Sequence, residues 1–490
     1  MTNSATRTIA IIGSGFCGTV VATNLLRSAD GPLRIVLIER STTVGCGAAY
    51  TSRDYPFLLN VPAARMSATT AAPLQFLEFA QTRVPTAGPD DFLPRELYGE
   101  YLCSLLVKAQ REATDILVEK WSGEVEEVRR LDAWAPYSKL GITTTDGHSL
   151  VADAVVLAVG APRYKAFNVA EHVAHHPAYI ADPLRAATPP AGKTLFIGSG
   201  LTMADAVCAS AASSRTLPVV NKFVAISRHG LIPPEQTSFK PSVIDQEIAS
   251  SLRLAAAISL RRLTRVVRSL ARSTEERGGD WREVITLVRH VAPGLWLALR
   301  QPERARFLRH LHTFWDVHRH RLPTAVRNRL DHLRAQGRLD VHAGRIRRIV
   351  PQGSQLAVHW QPRRSTDLRI ELFDRVVNCS GPDYRITYSG DALWRTLLRT
   401  GLATPDPLHT GVRTSAGLEL IDSDGAPTPT LYYVGSLLRA GFWEATAVAE
   451  LRAHCERLAA RVLAQVSHSQ EAPAPRQRTS FRQPRALSPF

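Results

Sequence analysis

Cysteine is scarce in this chain of 490 residues: Cys17, Cys46, Cys103, Cys208, Cys379 and Cys455, scattered, with no C-x-x-C pair. That spacing excludes a disulfide framework or a structural zinc site and argues for a reduced, cytoplasmic protein. Long apolar runs are missing too, so no bilayer-spanning segment is expected. The N-terminus runs straight into an apolar strand, without the basic region or cleavage site of a secretory leader. Acidic residues are outnumbered, 44 against 60 Lys and Arg, for a formal net charge of +16. Such charge can serve nucleic acid, a membrane surface or an acidic substrate. No nucleic-acid-binding motif accompanies it, and much of it lies in one helical stretch and a tail, so no nucleic-acid partner is expected.

What the chain does have is a glycine pattern that occurs twice. Ile9, Ile11 and Ile12 form a β-branched run typical of a buried parallel strand, and it breaks into G-x-G-x-x-G, Gly13-Ser14-Gly15-Phe16-Cys17-Gly18. Gly13 permits a tight turn, Gly15 lets backbone approach a pyrophosphate, and Gly18 lets the next helix pack close to the strand. A second apolar strand, Arg34 to Ile38, ends in Glu39-Arg40, where a carboxylate can hold a ribose hydroxyl. The second copy starts at Lys193 and carries Gly198-Ser199-Gly200-Leu201-Thr202-Met203, with Met203 in place of the third glycine. The strand after it ends in Arg228-His229-Gly230, a cationic end that suits a 2′-phosphate and so NADPH, although an ordinary surface arginine would look the same.

Between the copies, Gly45 to Tyr50 and Phe57 to Ser67 read as loops crossing close to a cofactor. Asn60, Val61 and Arg65 lie there, with turn capping as the competing role for the polar pair. A short strand holds Val125. Two buried strands end in glycine, Ala152 to Gly160 and Asp374 to Gly381, as expected where the chain passes between two nucleotide-binding units. Residues 250 to 335 break the α/β rhythm with helical stripes such as Leu260, Leu263, Val267 and Leu270. His310, His312, His318 and His320 do not share one helix face at ligand spacing, so no metal site is expected. Farther on, Leu431 to Ser436 reads as a strand ending at Gly435, and Gly441-Phe-Trp-Glu-Ala-Thr446-Ala447 as the opening of a helix running to about Val466.

Gly45-Cys-Gly-Ala-Ala-Tyr50, Leu59-Asn-Val-Pro62, Gly198 to Met203, Ser227-Arg-His-Gly230, Asn378-Cys-Ser-Gly-Pro382 and Phe442-Trp-Glu-Ala-Thr446, in this order, resemble the bacterial FAD/NAD(P)-binding proteins of the two-dinucleotide-binding-domain flavoproteins. The resemblance spans Thr8 to about Val466 and implies an α/β fold of two Rossmann-like domains, for FAD and NADPH. It assigns 1–185 and 376–466 to the FAD-binding domain, 186–375 to the NADPH-binding domain with a helical insertion at about 245–335, and 467–490 to a disordered basic tail. The implied cofactor contacts are the first glycine loop, Glu39, Arg40, Tyr50, Asn60, Val61, Val125, Gly160, Gly381, Gly435 and Thr446 for FAD, with Gly198 to Thr202, Arg228 and His229 for NADPH.

The better-understood relatives are single-component N-hydroxylases of amines and amino acids and Baeyer–Villiger-type monooxygenases. Asp374 to Gly381 is similar to an N-hydroxylase element, with Pro382 where a tyrosine is usual, and the Baeyer–Villiger signature is absent. The relatives imply a monooxygenase acting through a flavin C4a-hydroperoxide on a small nucleophilic substrate, with O2. Asn60, Arg65, Trp443 and Glu444 are the residues expected near the isoalloxazine, with packing and helix capping as equal roles for the last two. The alternatives are an NADPH-dependent reductase serving a quinone or protein acceptor, and a non-catalytic flavin-binding sensor or scaffold. A disulfide reductase is disfavoured because no cysteine pair stands at redox-active spacing.

Overall fold

The computed structural model describes residues 6–41, 44–51, 53–132, 135, 137–162, 164, 170–183, 192–213, 221–237 and 246–468. Strand Arg7–Ile12 is covered on both faces, with Ile9, Ala10 and Ile11 all fully buried, which is why its sequence does not alternate. It sits between Ala154–Leu157 and Leu33–Glu39 in a sheet that continues to Pro427–Tyr433 and Glu419–Ile421 on one side and Ile116–Ser122 on the other. All pairings are parallel except that of Glu419–Ile421. The carboxyl end of Arg7–Ile12 is therefore a switch point in strand order, where open α/β sheets bind ligands.

The second sheet repeats the plan. Lys193–Ile197 lies between Lys222–Ser227 and Arg375–Asn378, all parallel, with Tyr179–Ile180 at one edge. Beyond Lys222–Ser227 come Leu339–Gln352, Gln355–Pro362 and Arg369–Phe373, the last two joined antiparallel. A small antiparallel sheet, Val125–Arg130, Leu140–Thr144 and Ser149–Ala152, hangs on the first unit.

The expected domain boundaries need correction. Tyr179–Ile180 falls within 1–185 yet belongs to the second sheet, and the 375/376 boundary cuts through strand Arg375–Asn378, which bonds to Lys193–Ile197. The apolar-run-plus-glycine pattern marks a strand that closes a nucleotide-binding unit; it does not say which sheet takes the strand. The chain leaves and re-enters the first unit side by side, with Tyr164 and Pro382 in an antiparallel bridge.

The helical insertion consists of Gln246–Ile258, Leu260–Glu276, Trp281–Ala298, Gln301–His310 and His312–Arg319. Local chemistry punctuates it: Ser259 caps the second helix, and Asp280 with Glu283 forms a reciprocal capping box on the third. The helix Thr324–Ala335, expected within the insertion, instead buries Val326, Leu330 and Leu333 in the core of the second unit beside Met203 and Val207. The C-terminal helix is Val448–His468; Gly441 to Ala447 form turns after the 3-10 stretch Ser436–Ala440 and do not open it. That helix takes up residues 467 and 468 of the expected tail, and 469–490 lie outside the described residues.

Candidate functional site

Backbone geometry at the first glycine loop is tight. Gly13 has φ +94°, and a Cβ on it would stand 2.4 Å from the Ala158 carbonyl oxygen. A Cβ on Gly18 would stand 1.9 Å from the Gly13 oxygen. At Gly15 the nearest neighbour of such an atom, the Gly47 Cα, is 3.6 Å away, so glycine there is a matter of ligand approach. Helix Phe16–Ser28 starts at Gly15 with no side-chain cap and no acidic residue in its first turn, which suits a pyrophosphate. Glu39 Oε2 accepts from the Ser14 amide at 2.8 Å and its hydroxyl at 3.1 Å, so this carboxylate positions the loop it was expected to complement.

Around this cradle the other FAD candidates fall into two groups. Phe16 and Cys17 are nearly buried, Tyr50 packs edge-on against Tyr98 at 4.7 Å, and Val125 is buried. Burial pushes the Tyr50 hydroxyl up to about 12. Asn60 and Val61 are half-buried. Gly160 and Gly381 hold positive φ with free space before them, and Gly435 holds φ +150° against the Tyr433 ring. Arg40 is exposed and only 3.8 Å from exposed Glu124, a pair of little energetic weight.

The second cradle repeats the first at its key contact: a Cβ on Gly198, φ +112°, would meet the Cys379 carbonyl oxygen at 2.5 Å. Gly200 is open, with nothing within 4 Å of such an atom, and Leu201 and Thr202 are half-buried in the first helical turn. Ser199 is used by the protein itself. Its hydroxyl bonds Ser227 Oγ at 2.8 Å and the Leu231 carbonyl at 2.5 Å, which ties the Arg228-His229-Gly230 turn to the glycine loop. Arg228 is exposed, while His229 leans on Phe314 at 5.0 Å with a buried Nδ1 that has no partner. Burial, then Arg363 and Arg228, depress the His229 imidazole. Arg363 is thus a second cation at this end of the cradle, one that its place in a remote turn hid from the sequence.

A third region lies where the insertion meets the first unit. Trp443 lies in an aromatic cluster. It is 5% exposed, stacks on Trp296 at 4.4 Å and meets Phe307 and His312 edge-on, so its role here is packing. Glu444 is 1% exposed and accepts from Arg319 at 2.6 Å and Trp315 at 3.0 Å, with Arg289 3.6 Å away. It is an internal ion-pair node, not a candidate acid or base. Thr446 receives the same Arg319 guanidinium at 3.4 and 3.3 Å. Arg65 is exposed at the end of turn Ala63–Arg65 and faces Arg321, whose guanidinium burial lowers to about 10, with Arg282, Arg289 and Arg65 adding to the effect.

Arg439 is the unexpected member. It is buried, with its guanidinium between the Tyr384 ring at 4.2 Å and the Trp443 ring at 4.3 Å. Its Nε has no partner, and it has no carboxylate partner among the described residues. Its one polar neighbour, His312 Nε2 at 3.3 Å, also lies 2.9 Å from Asp316. Burial alone would raise Asp316, but the bond from His312 holds that carboxyl well below its usual range. A His312 Nε2 that donates to Asp316 offers Arg439 no lone pair, so among the described residues the guanidinium has no carboxylate and no imidazole acceptor.

Residues 10–162 match the family model described as FAD-NAD(P)-binding. Among solved structures, the chain superposes on reduced ornithine hydroxylase from Pseudomonas aeruginosa with TM-score 0.60 at 14% identity, over 94% of this chain and 100% of that one. The FAD-bound cadaverine monooxygenase of Erwinia amylovora gives 0.61 at 13%, over 99% and 100%. The fold is that of the two-domain FAD/NADPH flavoproteins. L-lysine 6-monooxygenase from Pseudomonas syringae shares it as well, with TM-score 0.59 at 14% identity over 94% and 99%. No curated protein matches the sequence.

In this flavoprotein fold Ser436 directly follows the conformationally special Gly435, and its buried hydroxyl has no protein partner. A strand-Gly-Ser terminus is a signal that could have found it. The buried imidazoles make a separate, checkable statement. Burial, reinforced by Arg319, lowers His320 to about 3; burial, reinforced by Arg457, lowers His454 to about 4. Both are depressed below the ordinary 6.5, so the unfolded chain binds more protons across that window. Stability should be present at pH 7 and fall steadily as the pH drops from about 6.5 towards 4, read by urea denaturation at fixed ionic strength. A midpoint that rises on acidification would contradict neutral, buried imidazoles.

Proposed function

We propose that the chain is an FAD-dependent, NADPH-using monooxygenase that N-hydroxylates a small amine or amino acid. The observation that carries this reading is Arg439, a buried guanidinium clamped between two rings with no counter-ion among the described residues, next to the strand terminus that closes the first cradle. Burying such a charge is costly unless it is paired in the working state. An amino-acid carboxylate would supply the missing anion. The chemistry that FAD supplies when bound is acceptance of a hydride from NADPH and activation of O2.

The protein's own contribution is placement. Gly13 to Gly18 and the helix behind them hold the FAD pyrophosphate, with Glu39 fixing the loop. Gly198 to Thr202 hold the NADPH pyrophosphate, and Arg228 with Arg363 takes the 2′-phosphate. Trp443 and Tyr384 keep water from the Arg439 face and hold the guanidinium plane in one orientation. The ornithine hydroxylase, cadaverine monooxygenase and L-lysine 6-monooxygenase, among the proteins that share the fold, support the same reading by their named activities.

The test is to reduce the FAD-loaded protein with NADPH anaerobically and then admit O2 with candidate amines and amino acids. Substrate-stimulated NADPH consumption matched by hydroxylated amine is expected. Release of all oxygen as peroxide with every candidate would favour a reductase, and failure of NADPH to bleach the flavin would favour a binding role. Arg228→Ala should raise the KM for NADPH at least about tenfold, the loss of roughly one charge-assisted contact, while leaving NADH nearly unchanged. Equal effects on both dinucleotides would remove the phosphate assignment.

A further inference from the structure

None of the six cysteines stands at redox spacing in the sequence, yet the fold brings two of them together beside the first cradle. Cys46 and Cys103 lie 57 positions apart, and their sulfurs are 3.7 Å apart, in contact. Both are half-exposed, whereas Cys17, Cys208, Cys379 and Cys455 are buried. We propose that Cys46 and Cys103 form a peroxide-sensitive thiol–disulfide site that fastens the 44–47 segment over the FAD pyrophosphate cradle.

The segment is held from two sides. On one, the Gly45 amide donates to the Ser14 carbonyl at 2.8 Å, and Gly47 lies so close to Gly15 that a Cβ on it would stand 2.9 Å from the Gly15 Cα. On the other, helix Arg95–Glu112 presents Cys103, whose thiol donates to the Val44 carbonyl at 3.0 Å. A Cβ on Gly45 would be 2.7 Å from the Cys103 sulfur. Cys46 therefore sits between a glycine loop that holds phosphate and a helix that carries the second thiol. Forming a bond of about 2.05 Å needs the sulfurs to close by under 2 Å. Gly45 and Gly47, both at positive φ, flank Cys46 and give its backbone that freedom.

The chemistry balances with hydrogen peroxide as oxidant. The contact with Cys46 lowers the Cys103 thiol against burial, with Lys120 adding to the effect, and Cys103 reacts once its proton has left the Val44 carbonyl. Its sulfur attacks one peroxide oxygen, the O–O bond breaks, hydroxide leaves and takes up a proton as water, and Cys103 becomes a sulfenic acid. The Cys46 sulfur then attacks the Cys103 sulfur, the S–O bond breaks and a second water departs. Two thiols lose two electrons and two protons, and one peroxide becomes two waters. The inference is independent of the substrate reading, since it concerns only the cradle and its backing helix.

The test treats the FAD-loaded protein with hydrogen peroxide, quenches in acid and counts thiols under denaturing conditions. A fall from six to four titratable thiols is expected, with a single cross-linked peptide joining Cys46 to Cys103. Cys46→Ser should abolish that cross-link and leave Cys103 over-oxidised, while Cys17→Ser should leave the cross-link intact. A cross-link confined to other cysteines, or six thiols retained after treatment, would overturn the site. Flavin fluorescence then follows FAD loss on dilution: the oxidised protein should release FAD several-fold more slowly than the reduced one, and equal or faster release would overturn the fastening.

Discussion

Gly18→Ala is expected to yield a protein without bound FAD and with stability lowered by about 3 kcal/mol or more. The new methyl would stand 1.9 Å from the Gly13 carbonyl oxygen and 3.0 Å from its carbon, and both are backbone atoms. Gly13 is held in place, because its amide bonds the Ile38 carbonyl at 2.8 Å and the Ala158 carbonyl fills the space where a Cβ on it would stand. Helix Phe16–Ser28 would have to shift outward, which separates Val20, Val21 and Leu25 from the sheet they pack on. Gly15→Ala gives the needed contrast. Its methyl meets nothing closer than 3.6 Å in the protein, so the fold should stay near wild type while the pyrophosphate loses its approach. Gly200→Ala, with open space around it, should likewise spare the fold and FAD content and abolish reduction by NADPH. Flavin content per chain, urea midpoints and anaerobic bleaching separate the three; a Gly18→Ala protein that keeps full FAD and midpoint would refute the steric account.

The second large effect is at Glu444. Replacing it with alanine should cost about 3–5 kcal/mol, since it strands a guanidinium that is already shut off from water. Arg319 is 7% exposed at its side chain and Glu444 1%, so no solvent is at hand to take over when the carboxylate is removed. Trp315 Nε1 would lose its acceptor as well. Glu444→Gln keeps an oxygen for Trp315 and should fall between wild type and Glu444→Ala. Because Glu444 belongs to the first unit and Arg319, Arg289 and Trp315 to the insertion, the alanine variant should also open the insertion to limited proteolysis before global unfolding. A loss under about 1 kcal/mol would mean that water or another acid reaches Arg319.

What the sequence disclosed and what it hid follow a physical division. Gly13, Gly18 and Gly198 were legible because steric exclusion at a strand–helix turn is local, and only glycine satisfies it. The buried parallel strands were legible from their β-branched runs for the same reason. Residues 375–378 were readable as a strand but not as a member of the second sheet, since partner choice depends on the whole chain. Trp443 lay within a motif that suggested either a cofactor-facing or a packing role, and its stack with Trp296, far along the chain, was not legible there. Arg439 was silent because an arginine's counter-ion, or the lack of one, exists only in three dimensions. The meeting of Cys46 with Cys103 was hidden in the same way.

The bridge between Tyr164 and Pro382 bears on how the molecule can move. A bridge between the outgoing and the returning chain ties the crossing at one point, which resists torsion there and leaves bending as the softer mode. Even that mode is restrained. Arg95 of the first unit grips Asp205 on the second unit's glycine-loop helix at 2.7 Å, and Glu444 holds the insertion at 2.6 Å. With a bridged crossing and two clamps, the first unit, the second unit and the insertion are tied together at three places.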